Sequence, residues 1–348
     1  MDISLKCLPY GALPYNNIDL TSTMMVKLFS NIPYLPLLPQ INPCDNLYAI
    51  TLCGIPGIKI KGKTCILKSN TEKFRNDCIT LDEVYNNPSA KNLEHYKFEP
   101  VFWDKYIQII GKIKPKKTII NLLGPLSISQ LLMKEDDEQF LADKLLRKLI
   151  IQAVCVKAMY AISKIREISP DTTPIIMLEE PLLYKLGDIK RECEAVTSDT
   201  IVNLYMKVFQ KIKEYNGIVG VQSFSKCDWQ VPIEAGADII SFDAYTNPNN
   251  LSIIPDKINN FLENGGKINW GIIPVQSETS LKAVTLDKIY NLFIKTVYAL
   301  VDSGVNEKLA FNNSTVSVQG NLDNLPIIFA EKAFFLTSQL AKRVPFKE

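Results

Sequence analysis

Several short polar runs break the apolar second half of this 348-residue chain, and they hold most of the side chains able to do chemistry. Glu179-Glu180-Pro181 follows the apolar Pro174-Ile175-Ile176-Met177-Leu178, and Asp243 follows Ile239-Ile240-Ser241-Phe242. An unpaired carboxylate at the end of a buried strand is costly, which makes Asp243 the strongest single candidate for a catalytic group. Glu179 and Glu180 are adjacent, so on a strand they point to opposite sides and only one can face an interior site. In the run Gly220 to Trp229, the Gln222 amide could hydrogen-bond a substrate, Asp228 could hold a cationic group, and Trp229 could offer a flat face. Tyr15, Ser127, Tyr245 and Ser314 complete the substrate-binding candidates. Plainer roles compete at each position. Strand-to-helix loops recruit Ser, Asn and Asp as helix N-caps; Glu180 would serve as a cap or an ion-pair partner, and Trp229 as core packing.

The elements that must position these groups follow a repeating rhythm from Lys117 onward. Apolar runs read as strands at 118–123, 174–178, 218–224, 238–243, 267–273 and 309–311. Between them, helical patterns run at about 136–167, 197–215, 232–235, 255–262, 285–301 and 325–340. In the longest, Leu141, Leu145, Leu149, Ala153 and Leu146, Ile150, Val154, Ala158, Ile162 mark the buried face. Continuous apolar strands alternating with amphipathic helices imply a parallel sheet covered by helices. No Gly-x-Gly-x-x-Gly follows the first strand and no phosphate-binding Gly-rich loop is present, which argues against a dinucleotide or P-loop domain. The expected fold is α/β, a TIM barrel of β/α repeats, whose strand C-terminal ends gather the polar runs into one pocket. A single domain over 1–348 is expected. Residues 1–116 would supply the first strand, a Pro-rich segment, a β-hairpin at 57–67 turning at Gly62, and a helical insertion; 117–348 would supply the regular repeats.

Composition narrows the partners. The chain is 47% hydrophobic and 22% charged, with a net charge of +2, so no global attraction to nucleic acid or to an anionic membrane is implied. The apolar stretch from Leu145 to Ile165 is interrupted by Arg147, Lys148, Gln152, Lys157 and Lys164 and cannot span a membrane. Lys6 breaks the apolar start, so no signal peptide is expected. Eight cysteines, none in a C-x-x-C pair, suit a reducing, cytoplasmic setting. His95, the only histidine, lies in the polar stretch 92–97 and reads as a surface residue, which nearly excludes histidine catalysis. A small-molecule substrate is the expected partner; a homodimer is one compatible assembly.

Seven segments in order carry a more specific likeness: Gly11-Ala12-Leu13-Pro14-Tyr15, Pro33 to Pro39, Asn46-Leu47-Tyr48, Gly124-Pro125-Leu126-Ser127, Glu179-Glu180-Pro181, Cys227-Asp228-Trp229, and Ser241-Phe242-Asp243-Ala244-Tyr245. Together they resemble the catalytic domain of cobalamin-independent methionine synthase, in the superfamily that also holds uroporphyrinogen decarboxylase. The resemblance covers nearly the whole chain and implies methyl transfer to a thiol that a zinc ion binds and deprotonates. It also implies a ligand set of His, Cys, an acidic residue and a later Cys. Those places here hold Gln222, Phe224, Asp243 and a position near Ser314, and Tyr15 stands where the opening segment has His. Amide and hydroxyl oxygens are poor zinc ligands and Phe is none, so no family-type zinc site and no cofactor are expected. Nothing in the spacing of Cys7 and Cys227 supports a relocated one.

The resemblance also implies that the second carboxylate of the Glu179-Glu180 pair contacts substrate, which favours Glu180 as a catalytic residue beside Asp243. The expected function is that of a methionine-synthase-like methyltransferase relative acting on a small molecule without the zinc site. One alternative is a non-catalytic ligand-binding barrel. Another is a metal-free decarboxylase of the uroporphyrinogen type, ranked lower because that chemistry uses arginines for acidic substrate groups and no arginine precedes Arg75.

Overall fold

In the computed structural model the described residues are 6–61, 64–98, 100–133 and 140–345. Among the described residues nine strands form: β1 (Ile58–Lys61), β2 (Thr64–Leu67), β3 (Lys117–Leu123), β4 (Leu132–Met133), β5 (Thr173–Glu179), β6 (Ile218–Ser223), β7 (Ile239–Phe242), β8 (Lys267–Ile273) and β9 (Ser314–Val318). The apolar runs become six parallel strands ordered β3-β5-β6-β7-β8-β9, so the α/β expectation is met. The hairpin β1-β2 pairs in antiparallel fashion and joins β4 in a separate small sheet. Its turn, assigned to Gly62, lies outside the described residues.

A closed barrel of regular strands does not form. The continuous sheet is a curled, six-stranded half-barrel, and its two free edges are met by single bridges from extended segments. Cys7 bridges Val316 of β9, Ala12 bridges Leu37, and Tyr34 bridges Ile119 of β3. The bonds are few: Leu8 N to the Val316 carbonyl and Val316 N to that of Lys6, both at 3.1 Å, Leu13 N to Leu37 at 2.9 Å, and Leu35 N to Ile119 and Ile119 N to Pro33, both at 3.0 Å. Pro9, Pro14, Pro33 and Pro36 explain this, because each removes a ladder donor from a segment that would otherwise be a strand.

Two further expectations need correction. Residues 309–311 belong to the helix Glu307–Asn312, capped by the Asn306 side chain, and the last strand begins only at Ser314. The Ser-Thr-Val-Ser-Val sequence of β9 hides it from an apolar-run search, since three of its five residues carry hydroxyls. The long helix runs Lys144–Ile168, starting at the Asp143 cap; residues 136–139 of its expected start lie outside the described set. It is buried nearly all round, as a central covering helix should be, yet Leu145 is 53% exposed.

The same helix anchors the N-terminal third. Lys157 is fully buried, and its Nζ donates to the carbonyls of Cys53 (2.6 Å) and Lys97 (3.3 Å), which end the helix Leu47–Leu52 and the short helical turn Glu94–Tyr96. Burial pushes this amine down to about 8. A cation on orphan carbonyls at two helix C-termini satisfies both at once. Among the described residues, no helix is long and apolar enough to cross a membrane.

Candidate functional site

The two faces of the sheet are told apart by their partners. Phe242 and Trp270 pack together and continue to Phe293 of the helix Leu286–Asp302, with centroid distances of 5.3 Å and 6.3 Å. That face is the covered one. Their neighbours Ser241, Asn269 and Ser317 therefore point inward, and there Asn269 Nδ2 donates to Ser241 Oγ (2.7 Å) and Ser317 Oγ (2.8 Å). Gly220 is part of the floor: a Cβ there would stand 2.2 Å from Met177 Sδ.

Above this layer, at the C-terminal strand ends, stands a ring of buried polar side chains. Asn121 Nδ2 of β3 donates to Glu179 Oε1 of β5 at 2.6 Å. Glu179 is the cross-strand neighbour of Gln222 on β6, and Gln222 that of Ser241 on β7. Two residues beyond Ser241, Asp243 accepts from Thr246 N (2.8 Å) and from Gln319 Nε2 (2.9 Å), the latter just past β9. Tyr10, from the first bridging segment, donates to the Val318 carbonyl and stacks on Phe224 at 5.7 Å. Burial first, then the charges of Glu179 and Asp243, push the Tyr10 hydroxyl well above its ordinary range, so this ring oxygen lies within the field of both carboxylates.

Glu179 is 8% exposed, Gln222 1%, Gln319 3%, Asp243 4% and Asn121 6%. Burial raises the Glu179 carboxyl from 4.5 to about 7, against the pull of the Asn121 hydrogen bond. Such a group can give or take a proton near neutral pH. Polar atoms in the ring lack partners among the described residues: both amide atoms of Gln222, Asn121 Oδ1 and Gln319 Oε1. A surface groove lined by Ile218, Gly236, Asp238 and Lys257 lies at the opposite, N-terminal ends of β6 and β7.

The two adjacent glutamates exchange their expected places. Glu180, favoured as the inward one, points outward and is fully buried. It accepts from Leu126 N (3.0 Å), Ser127 N (2.7 Å) and Tyr205 Oη (2.7 Å), capping the helix Pro125–Leu131. Burial pushes its carboxyl up to about 7 while Ser127, Tyr205 and Leu126 pull it down. A Cβ on Gly124 would stand 2.2 Å from this carboxyl, so glycine is required there. Ser127 shares the outer task, its Oγ accepting from Leu182 N at 3.1 Å.

Other expected residues also fall outside the ring. Tyr15 is buried and donates to Glu331 Oε1 of the last helix at 3.1 Å. Asp228 is exposed and accepts from Gln230 N in a local turn. Trp229 packs in the core against Phe242 at 6.3 Å. Ser314 opens β9 at the wrong end of the strand, accepting from Trp270 Nε1 and donating to the Ala310 carbonyl, both at 2.7 Å. Its assignment rested on placing the strand at 309–311; the residue that meets Asp243 is Gln319. Tyr245 is half-buried in the loop after Asp243, its N–H donating to the Gly271 carbonyl at 3.1 Å. Tyr10, Asn121 and Gln319 were missed, although an amide inside the apolar run 118–123 was a signal available in the sequence.

The zinc implied by the resemblance can be tested against these donors. Of the implied places, one holds the carboxylate Asp243, which the Gln319 carboxamide contacts, and two others hold the Gln222 carboxamide and the Phe224 ring. One carboxylate with two amides does not fit a thiol-activating zinc, which takes thiolate and imidazole. Among the described residues, no group of three or more His, Cys, Asp or Glu could hold a metal ion. Cys227 follows β6 at the ring end of the sheet, whereas Cys7 lines a groove with Lys116 and Lys117 where β3 begins. Burial pushes both thiols up to about 12. With a thiol reagent at pH 8, the exposed Cys44 and Cys53 are expected to react in the fast phase, and buried Cys155 and Cys227 only after unfolding. Fast labelling of Cys227, read by peptide mass mapping, would contradict the burial.

No protein-family model matches the sequence, and no curated protein does. Among solved structures, a methyltransferase from Methanosarcina mazei is similar over 97% of this chain and 94% of that one, at 11% identity and a TM-score of 0.54. A B12-independent methionine synthase from a Shewanella species matches over 71% of this chain and 68% of that one, at 13% identity and a TM-score of 0.46. At 11% identity the first of these likenesses is one of fold.

Proposed function

We propose that this chain is a methionine-synthase-like methyltransferase relative, a single domain that acts on a small molecule inside the polar ring and does not use the family zinc. The observation that carries the reading is Gln222: a wholly unpartnered, buried carboxamide between Glu179 and Ser241, at the place where the resemblance implies a metal-binding His. Buried polar groups normally find partners, so an orphaned amide in a built polar ring suits a ligand. The full-length likeness in fold to a methyltransferase supports the family direction. Glu179, with a carboxyl near 7, would be the proton-handling group, and Asp243, oriented by Gln319 and Thr246, the group that holds the ligand. The same orphaned amide suits a second reading, a barrel that binds its ligand without turnover. No nucleic acid or membrane partner is proposed, and the protein would work in the cytoplasm.

Elemental analysis of protein purified without chelator tests the metal-free part. The expected result is less than ~0.1 zinc per chain in both wild type and Asp243→Ala, where a resident structural or catalytic ion would give about one. Stoichiometric zinc that disappears in Asp243→Ala would overturn it. Release of labelled methyl groups to or from a bound small molecule, lost in Glu179→Gln, would separate enzyme from binder.

A further inference from the structure

A groove of about 850 Å3 runs between the covering helices Lys144–Ile168 and Ser198–Glu214 and reaches Tyr85 on the helix Glu72–Asn86. Sites for small molecules commonly have volumes of ~300–1,000 Å3. Four cations line this one, Lys144, Arg147, Lys148 and Lys207, against a single carboxylate, Asp199. The whole chain carries a net charge of only +2, so the excess is local.

These cations stand where a helix disfavours them. Lys144, Arg147 and Lys148 occupy the first two turns of their helix, and its first turn holds no acidic residue. The N-terminus of a helix carries partial positive charge and repels a cation. Lys144 is also three residues from Arg147 and four from Lys148, so like charges share one helix face. The facing helix brings its own N-terminal turns to the groove, with Thr197, Thr200 and Asn203 as uncharged donors. Lys190 donates to Ser198 Oγ at 2.7 Å and adds a fifth cation at that helix start. Among the described residues, Lys148 is the one lining cation with a carboxylate partner, Asp82 at 2.6 Å. Such an arrangement loses its repulsion when an anion enters.

The donors also select the kind of anion. Arg147 Nη1 already donates to the carbonyls of Leu141 and Ala142, so the planar fork that grips a carboxylate is partly taken. What remains is point-charge ammonium groups from two helices, with hydroxyl and amide donors between them. That set suits the several oxygens of phosphate groups.

We propose that this groove is a second ligand site, which takes a small molecule bearing two or more phosphate groups. Lys144 and Lys207, from facing helices, would neutralise the phosphates, and Thr197, Thr200 and Asn203 would donate to their remaining oxygens. The site is separate from the polar ring, and none of its residues belongs to the ring.

The test is a titration of the full-length wild-type protein with sodium pyrophosphate at pH 8, followed by 31P NMR and by calorimetry. One saturable site per chain is expected, weakened at least ~10-fold in the double variant Lys144→Gln/Lys207→Gln. Both lysines are exposed, so the variant should fold, and an unchanged urea midpoint checks that it does. Lys116→Gln/Lys342→Gln removes the same charge from two exposed lysines of the groove that Cys7 lines, and should bind pyrophosphate as wild type does. Equal weakening in the two double variants would reduce the effect to net charge and overturn the proposal. Absence of saturable binding, equally tight binding of citrate, or tighter binding of a single-stranded DNA 20-mer would overturn it as well. None of these outcomes touches zinc content or the behaviour of Glu179→Gln, so the reading of the ring stands or falls separately.

Discussion

Glu179→Gln is expected to stabilise the protein at pH 8 by on the order of 3 kcal/mol and to leave it nearly unchanged at pH 4. The cause is desolvation. Glu179 is raised from 4.5 to about 7 by burial, with a single hydrogen bond from Asn121 in opposition. A carboxyl whose folded value lies above its unfolded one contributes its stability in full below the unfolded value, here 4.5. That contribution is lost as pH rises through 7. Above pH 7 the wild type carries an ionised, underpaired carboxylate in its interior, and the amide variant does not. The Gln side chain still offers an oxygen to Asn121 Nδ2, and its NH2 group supplies a donor for the unpartnered Asn121 Oδ1. Urea midpoints at pH 4, 6 and 8 measure the difference. A gain of equal size at all three values, or a loss at pH 8, would show that Glu179 is paired and that the ring is wrongly described. A stabilised variant that has lost function is also the expected behaviour of a site residue retained at the expense of stability.

Its neighbour responds in the opposite sense. Glu180→Ala should cost about 4 kcal/mol, because Leu126 N, Ser127 N and Tyr205 Oη lose their shared acceptor in a fully buried place. Each stranded donor bears its own desolvation cost, and the helix Pro125–Leu131 loses its cap. Gly124→Ala should act through the same contact, since the added Cβ would displace the carboxyl. Chemical denaturation at pH 7 checks both. If Glu180→Ala were no less stable than wild type, the capping role would be refuted and an inward, substrate-facing Glu180 would return to consideration. The two variants thus probe different causes, an underpaired charge at Glu179 and stranded donors at Glu180.

The alternation of apolar strands with amphipathic helices after Lys117 fixed the α/β class, because period-2 and period-3.6 burial leave their marks directly in the residue order. Asp243 was legible for a related reason: a lone carboxylate ending an apolar strand has few cheap explanations. Gln222 was legible only through its contrast with the resemblance. What the sequence could not decide was direction. Glu179 and Glu180 differ by one position, and a single-residue change of phase moves a side chain from the core to the covering helices. Only the register against Gln222, set by the neighbouring strands, put Glu179 inside.

The same holds for β9, whose hydroxyl-rich inner face looks polar in sequence and is buried by Asn269 across the sheet. Placing that strand a few residues early moved the candidate from Gln319 to Ser314, at the opposite end of the strand. Tyr10 became visible only when its segment met Val318, 308 residues away, at one rim. Composition and periodicity determined which elements form, since those are local balances of burial and propensity. The ring and its orphaned amides were decided by tertiary contacts, because they depend on which strand lies beside which and on where each proline interrupts the ladder.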